Sequence, residues 1–197
     1  MKNDFLEIQL AKKIIADIVD LKEKLSTDVE VQQHSERVCQ YSLILAKEYG
    51  LNLQERVDIC TGALLHDIGK IYINKNILNK KEKLNKDDRC LIELHSQTGY
   101  LDIKQYCLNK AVLDIVHHHH ERLDGSGYPE KIYGDEISLL TQLVSIADVF
   151  DALTSNRIYR EKLSYKKAFE IMEENRGLNQ VAIHILKNKI IRDNKKE

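Results

Sequence analysis

Four consecutive histidines, His117 to His120, open a run that continues Glu121-Arg122-Leu123-Asp124-Gly125-Ser126-Gly127-Tyr128 and ends on Pro129, the only proline of the chain. Imidazole is the commonest nitrogen ligand for zinc, iron and manganese. The run is internal and too short for a purification tag, which leaves a solvated helix end as its plain alternative. Other chemistry-bearing residues lie far away in sequence. His66-Asp67 closes an apolar stretch that includes Ala63, Leu64 and Leu65, and Asp148 interrupts the apolar run Ile146 to Phe150. Burying such groups without a partner is costly, and a bound cation removes that cost. Glu30, His34 and Arg37 stand at i, i+4 and i+7, on one helical face, and Lys70 follows Asp67 by three residues. Together, Glu30, His34, His66, Asp67, His95, His119, His120 and Asp148 form a mixed imidazole and carboxylate set suited to two or three divalent ions. Iron or manganese fits best, and zinc is possible. Ions held this way lower the pKa of bound water from about 15.7 to roughly 7, which makes hydroxide available for attack on phosphorus.

These residues must be carried by helices, because apolar positions recur at helical spacing almost throughout. The pattern predicts helices over about 4–25, 27–50, 52–69, 85–98, 109–121, 138–154, 164–176 and 179–192. Asn85, Ser138 and Ser164 are N-cap candidates. Thr27 with Glu30 also reads as a capping box, a structural role that competes with metal binding for Glu30. Residues 71–84 and 122–136 read as connections, and 99–107 as a short helix or irregular chain. No stretch alternates as a strand does, so the expected fold is all-α. Residues 1–26 are read as an N-terminal helix, a packing element or a connector, and 27–197 as the catalytic domain. With 30 basic and 31 acidic residues the formal charge is −1, which gives no reason to expect a DNA or RNA polymer as partner. No apolar run has membrane-spanning length and no signal peptide is recognisable, so a cytoplasmic location is expected. Cys39, Cys60, Cys90 and Cys107 are widely spaced, as expected of reduced, mostly buried thiols.

The ordered pieces Glu30-x-x-x-His34-x-x-Arg37, His66-Asp67-Ile68-Gly69-Lys70, His95, His119-His120-Glu121-Arg122-x-Asp124-Gly125-x-Gly127-Tyr128-Pro129 and Asp148-Val149-Phe150-Asp151-Ala152-Leu153-Thr154 resemble the HD-GYP family, a branch of the HD phosphohydrolases. The resemblance spans about residues 28–175. It implies an HD-domain helical bundle with its metal site in the bundle core, hydrolysing cyclic di-GMP to pGpG and in some members on to GMP. It also implies that His34, His66, Asp67, His95, His119, His120 and Asp148 are metal ligands, with Asp67 bridging. Glu30 matches the extra glutamate of three-metal members. Lys70 resembles the lysine that contacts the scissile phosphate. Arg157 and Arg160 resemble phosphate or guanine contacts, and Tyr128 would line the pocket. The loop Gly125, Gly127, Tyr128 and Pro129 would shape the pocket wall and could dock a GGDEF-type cyclase. His117 and His118 match no ligand of the family. Asp151 is read as a hydrogen-bond acceptor behind a ligand or a helix cap, Arg37 as a carboxylate partner, and Glu121 and Arg122 as a structural pair or loop anchor. A different cyclic or linear dinucleotide as substrate, or a binding module without turnover, are the competing readings.

Overall fold

The computed structural model of the protein describes residues 4–17, 29–80, 82–156 and 161–194, without the side chains of residues 4, 5, 29, 30, 193 and 194. Nine α-helices follow one another among these residues: α1 (Asp4–Ala16), α2 (Val29–Glu48), α3 (Leu53–Leu65), α4 (Lys75–Leu78), α5 (Lys86–Ile103), α6 (Lys110–His118), α7 (Leu139–Thr154), α8 (Tyr165–Glu174) and α9 (Gln180–Asn194). Two short 3-10 helices, Ile68–Tyr72 and Gly134–Glu136, complete the set, and the described residues contain no strand. The all-α expectation therefore holds.

Local chemistry sets the helix starts. Asn52 and Glu55 exchange side-chain and backbone hydrogen bonds in a capping box at α3, and Asn85 and Asp88 do the same at α5. Ser138 and Ser164 accept the N–H of Thr141 and Lys167, as expected for the caps of α7 and α8. The capping box expected at Thr27 falls outside the described residues, as does the predicted first helix beyond residue 17.

The helices pack as a bundle. α2 lies between α3 and α7, α3 also meets α1 and α6, and α6 bridges α5 and α7. α8 and α9 close one end against α7 and α2. Phe150 sits in the middle of the core, edge-on to Tyr41 at 4.9 Å and stacked on Phe169 at 4.9 Å. α1 buries Ala11 and Ile15 in the same core, and its buried Glu7 accepts from Arg56 of α3 at 2.9 Å.

Three expectations need correction. α3 ends at Leu65, not Gly69, so His66 and Asp67 stand in the turn between α3 and the 3-10 helix. α5 does not stop at 98 but runs to Ile103, straight through Gly99. Gly99 is a packing position rather than a stop: a Cβ there would lie 3.1 Å from the Gly69 nitrogen. Finally, only Cys39 and Cys60 are buried, while Cys90 and Cys107 are exposed; all four are free thiols.

Candidate metal centre

Five pieces of chain bring their side chains to one place in the core. α2 supplies His34, the turn after α3 supplies His66 and Asp67, and α5 supplies His95. The C-terminal end of α6 supplies His119 and His120, and α7 supplies Asp148. Their donor atoms fall into two groups, Asp67 with His95, His119 and His120, and His34 with His66 and Asp148. Asp67 joins them. Its Oδ1 lies 3.4 Å from His95 Nε2, while its Oδ2 lies 3.3 Å from His66 Nε2 and 3.6 Å from His34 Nε2. Asp148 Oδ1 is 3.2 Å from His34 Nε2 and 4.0 Å from His66 Nε2, and its Oδ2 is 4.0 Å from His120 Nδ1.

Gly69 permits this assembly. A Cβ on it would stand 2.0 Å from the carbonyl oxygen of His95 and 2.6 Å from the Gly99 nitrogen. Only a bare backbone lets the 3-10 helix lie against α5, and that contact sets Asp67 beside His95. Gly127 does the same for the loop: a Cβ there would meet Glu121 Cα and His120 O at 2.5 Å. The loop thus folds onto the backbone of the ligand segment. Tyr128 lies against His120 at 4.7 Å between ring centroids and edge-on to His95 at 6.4 Å.

The hydrogen bonds behind the rings fix their protons. Nδ1 of His66 donates to Ala63 O (2.7 Å), that of His95 to Ile92 O (2.6 Å) and that of His119 to Val116 O (3.1 Å). A carbonyl only accepts, so in the neutral form of each ring the lone pair sits on Nε2. All three lone pairs face the cluster. His95 Nε2 and His119 Nε2 confront each other at 3.2 Å, acceptor to acceptor. His66 Nε2 and Asp67 Oδ1 are buried and have no hydrogen-bond partner among the described residues. A cation among them supplies what the protein does not, so the residues present fit divalent metal.

The electrostatics agree. Burial, reinforced by the neighbouring imidazoles, pushes His119 well below the ordinary histidine value, and burial does the same to His120 and lowers His95. These rings are held in the neutral, ligating form. Burial opposes charge on Asp67, but the Lys70 ammonium beside it outweighs burial and keeps the carboxyl well below its usual range. Asp148 is depressed likewise, its burial overcome chiefly by His34. Burial also opposes charge on His34, but hydrogen bonds to Asp148 and Asp151 win and raise it to about 9. The imidazolium form of His34 is thereby favoured.

The supporting residues are placed as their positions suggested. Asp151 accepts from His34 Nδ1 (2.7 Å) and from Arg37 Nε (2.6 Å) and Nη2 (3.1 Å). Glu121 anchors the loop by accepting the backbone N–H of Glu130 (2.6 Å) and Lys131 (2.9 Å). Arg122 donates to the carbonyls of His119 and Glu121 and to Ser145 Oγ. Sequence reasoning missed Ser145; its one signal is a hydroxyl on the inward side of an apolar helix. Lys70 Nζ donates to Asp67 Oδ2 at 2.5 Å. Gly125, in the left-handed region at φ 75°, turns the loop, and Pro129 follows Tyr128 through a cis bond. The side chain of Glu30, and Arg157 and Arg160 entirely, lie outside the described residues.

A family model described as an HD domain matches residues 13–181. The chain is 40% identical over 144 residues to 3'3'-cGAMP-specific phosphodiesterase 3 of Vibrio cholerae, covering 72% of this chain and 31% of that protein. It is 36% identical over 155 residues to a cyclic di-GMP phosphodiesterase of Pseudomonas aeruginosa, covering 77% of this chain and 37% of that one. The chain spans about a third of the length of these curated relatives. The backbone matches an HDG"Y"P protein from Bdellovibrio bacteriovorus with a TM-score of 0.70 at 22% identity, over 91% of this chain and 61% of that chain, a likeness of fold.

Proposed function

The chain belongs to the HD domain family, and from that premise we propose that it is a metal-dependent phosphodiesterase of the HD-GYP branch that hydrolyses cyclic di-GMP to pGpG. The observation that carries this reading is the convergence of three buried Nε2 lone pairs with Asp67 and Asp148 around an unsatisfied centre. His34, His66, Asp67, His95, His119, His120 and Asp148 hold two divalent ions, iron or manganese, and Glu30 recruits a third. When bound, the ions supply hydroxide near neutral pH and Lewis-acid stabilisation of the phosphoryl oxygens. The other groups belong to the chain. Lys70, on the rim beside Asp67, places its ammonium against the scissile phosphate and the leaving 3'-oxygen. Tyr128, kept neutral because burial raises its phenol well above the ordinary value, walls the pocket over His95 and His120. Arg157 and Arg160 grip the second phosphate or a guanine through planar guanidinium forks.

The wider reading follows from the same assignment. Residues 27–197 are the catalytic unit and residues 1–26 its packing element or connector. A GGDEF-type cyclase docks on the exposed tip of the loop, near Asp124, Ser126 and Tyr133. A cytoplasmic location goes with free thiols and a nucleotide substrate. No described helix is long and apolar enough to cross a membrane.

A second reading has a specific observation behind it: the 40% identical relative is named for 3'3'-cGAMP. Hydrolysis of cyclic di-GMP, 3'3'-cGAMP and pGpG by anaerobically iron-loaded and by manganese-loaded protein separates the two. Asp67→Ala is expected to abolish turnover of the preferred nucleotide and to lower the metal content. Full activity in that variant overturns the site.

A further inference from the structure

Apart from the seven-residue centre, one other set of described donors could hold an ion. His117 and His118 close α6, and a ring nitrogen of each, with a carboxylate oxygen of Glu130, lie within 4.8 Å of one another. His118 Nε2 is 3.2 Å from Glu130 Oε2, and the two imidazole centroids are 4.3 Å apart. The set is held from both sides. His117 is stacked on Tyr100, 4.4 Å between centroids and 13° from parallel. Opposite it, the buried Glu121 carboxylate clamps the backbone N–H of Glu130 and Lys131, which fixes the Glu130 Cα beside the end of α6. An ion pair between His118 and Glu130 explains their contact, but it leaves the His117 ring with no hydrogen bond among the described residues.

We propose that His117, His118 and Glu130 form a second divalent-cation site, separate from the catalytic centre, that takes zinc or a similar imidazole-preferring ion. Two imidazoles and one carboxylate are a zinc-type donor set with a position left for water. They disfavour magnesium and calcium, which prefer all-oxygen shells. Glu130 has 53% of its side chain exposed, so the ion has an entry path. The consequence is mechanical. An ion here ties the end of α6 to the residue immediately after Tyr128-Pro129, and so holds Tyr128 over His120.

The test uses the full, untagged chain already loaded with manganese. Zinc is added by equilibrium dialysis and counted by elemental analysis in wild type, Glu130→Gln and the double variant His117→Gln/His118→Gln. Wild type is expected to take up one zinc per chain more than the double variant. Glu130→Gln, at an exposed position that cannot unfold the core, is expected to weaken that zinc at least about tenfold, since even outer partners of a metal matter by 10–100-fold. Zinc should also slow amide hydrogen exchange over residues 128–131 in wild type alone. Equal zinc stoichiometry and affinity in all three proteins overturns the site and leaves only the His118–Glu130 ion pair.

Discussion

The orientation of His34 depends on Asp151. One of its oxygens receives His34 Nδ1–H and both face the Arg37 guanidinium. Burial opposes its charge, but His34 and Arg37 outweigh burial and hold it below the usual carboxylate range. It therefore works as an anionic acceptor that aims the other nitrogen of His34 at Asp67 and Asp148. Asp151→Asn keeps the shape and removes the charge. It is expected to weaken metal binding about 10–100-fold and to lower turnover at limiting metal, with excess manganese restoring part of the rate. Metal titrations followed by activity check this. An unchanged affinity would show that Arg37 and Asp151 serve only the fold.

At the scale of elements, the contact between the 3-10 helix and α5 is the most exacting. Gly69→Ala places a methyl group where the His95 carbonyl already is. Overpacking costs typically about 1–3 kcal/mol, and here there is backbone on both sides. The variant is expected to lose several degrees in Tm and to lose metal disproportionately, because the contact that opens is the one between Asp67 and His95. Thermal melts with elemental analysis measure both. The same contact marks the limit of what the sequence discloses. Periodicity located α2, α3 and α6, and the caps Asn85, Ser138 and Ser164 marked the starts of α5, α7 and α8, because apolar spacing and capping are local properties. Periodicity could not say that Gly99 packs against Gly69 rather than ending a helix, because that depends on a residue thirty positions away. The donors were legible for a different reason: His66, Asp67 and Asp148 are polar residues in apolar helical surroundings, a mismatch visible without coordinates. The hydroxyl of Ser145 is a weaker mismatch, since serine in an apolar helix can bond back to its own backbone, and its bond to Arg122 emerges only in three dimensions. The burial of the cysteines was legible in part, since Cys60 stands among Ile59, Ala63 and Leu64 and is buried, whereas Cys90 follows Asp87-Asp88-Arg89 and faces water.

The whole molecule converges on its centre, and its stability follows. With the proposed ligands coming from α2, α5 and α7 and from the ends of α3 and α6, ions bound there would crosslink most of the bundle. Binding that favours the folded state stabilises it by RT ln(1 + [L]/Kd), about 2.7 kcal/mol at a free metal concentration of 100 Kd. Chelation is thus expected to lower Tm by several degrees, and manganese to restore it, in differential scanning calorimetry. A chelator-independent Tm would mean that the ions sit outside the core.

The short contact between Lys70 and Asp67 carries one more consequence. The ammonium occupies the carboxylate oxygen that also faces His66 and His34, so an arriving ion must evict it. On the proposed reading Lys70 would act as a built-in competitor, and its eviction would leave a positive charge free to meet an incoming phosphate. Lys70→Met should therefore grip manganese more tightly while turning over far more slowly, an opposition that calorimetry and rate measurements on one sample would expose.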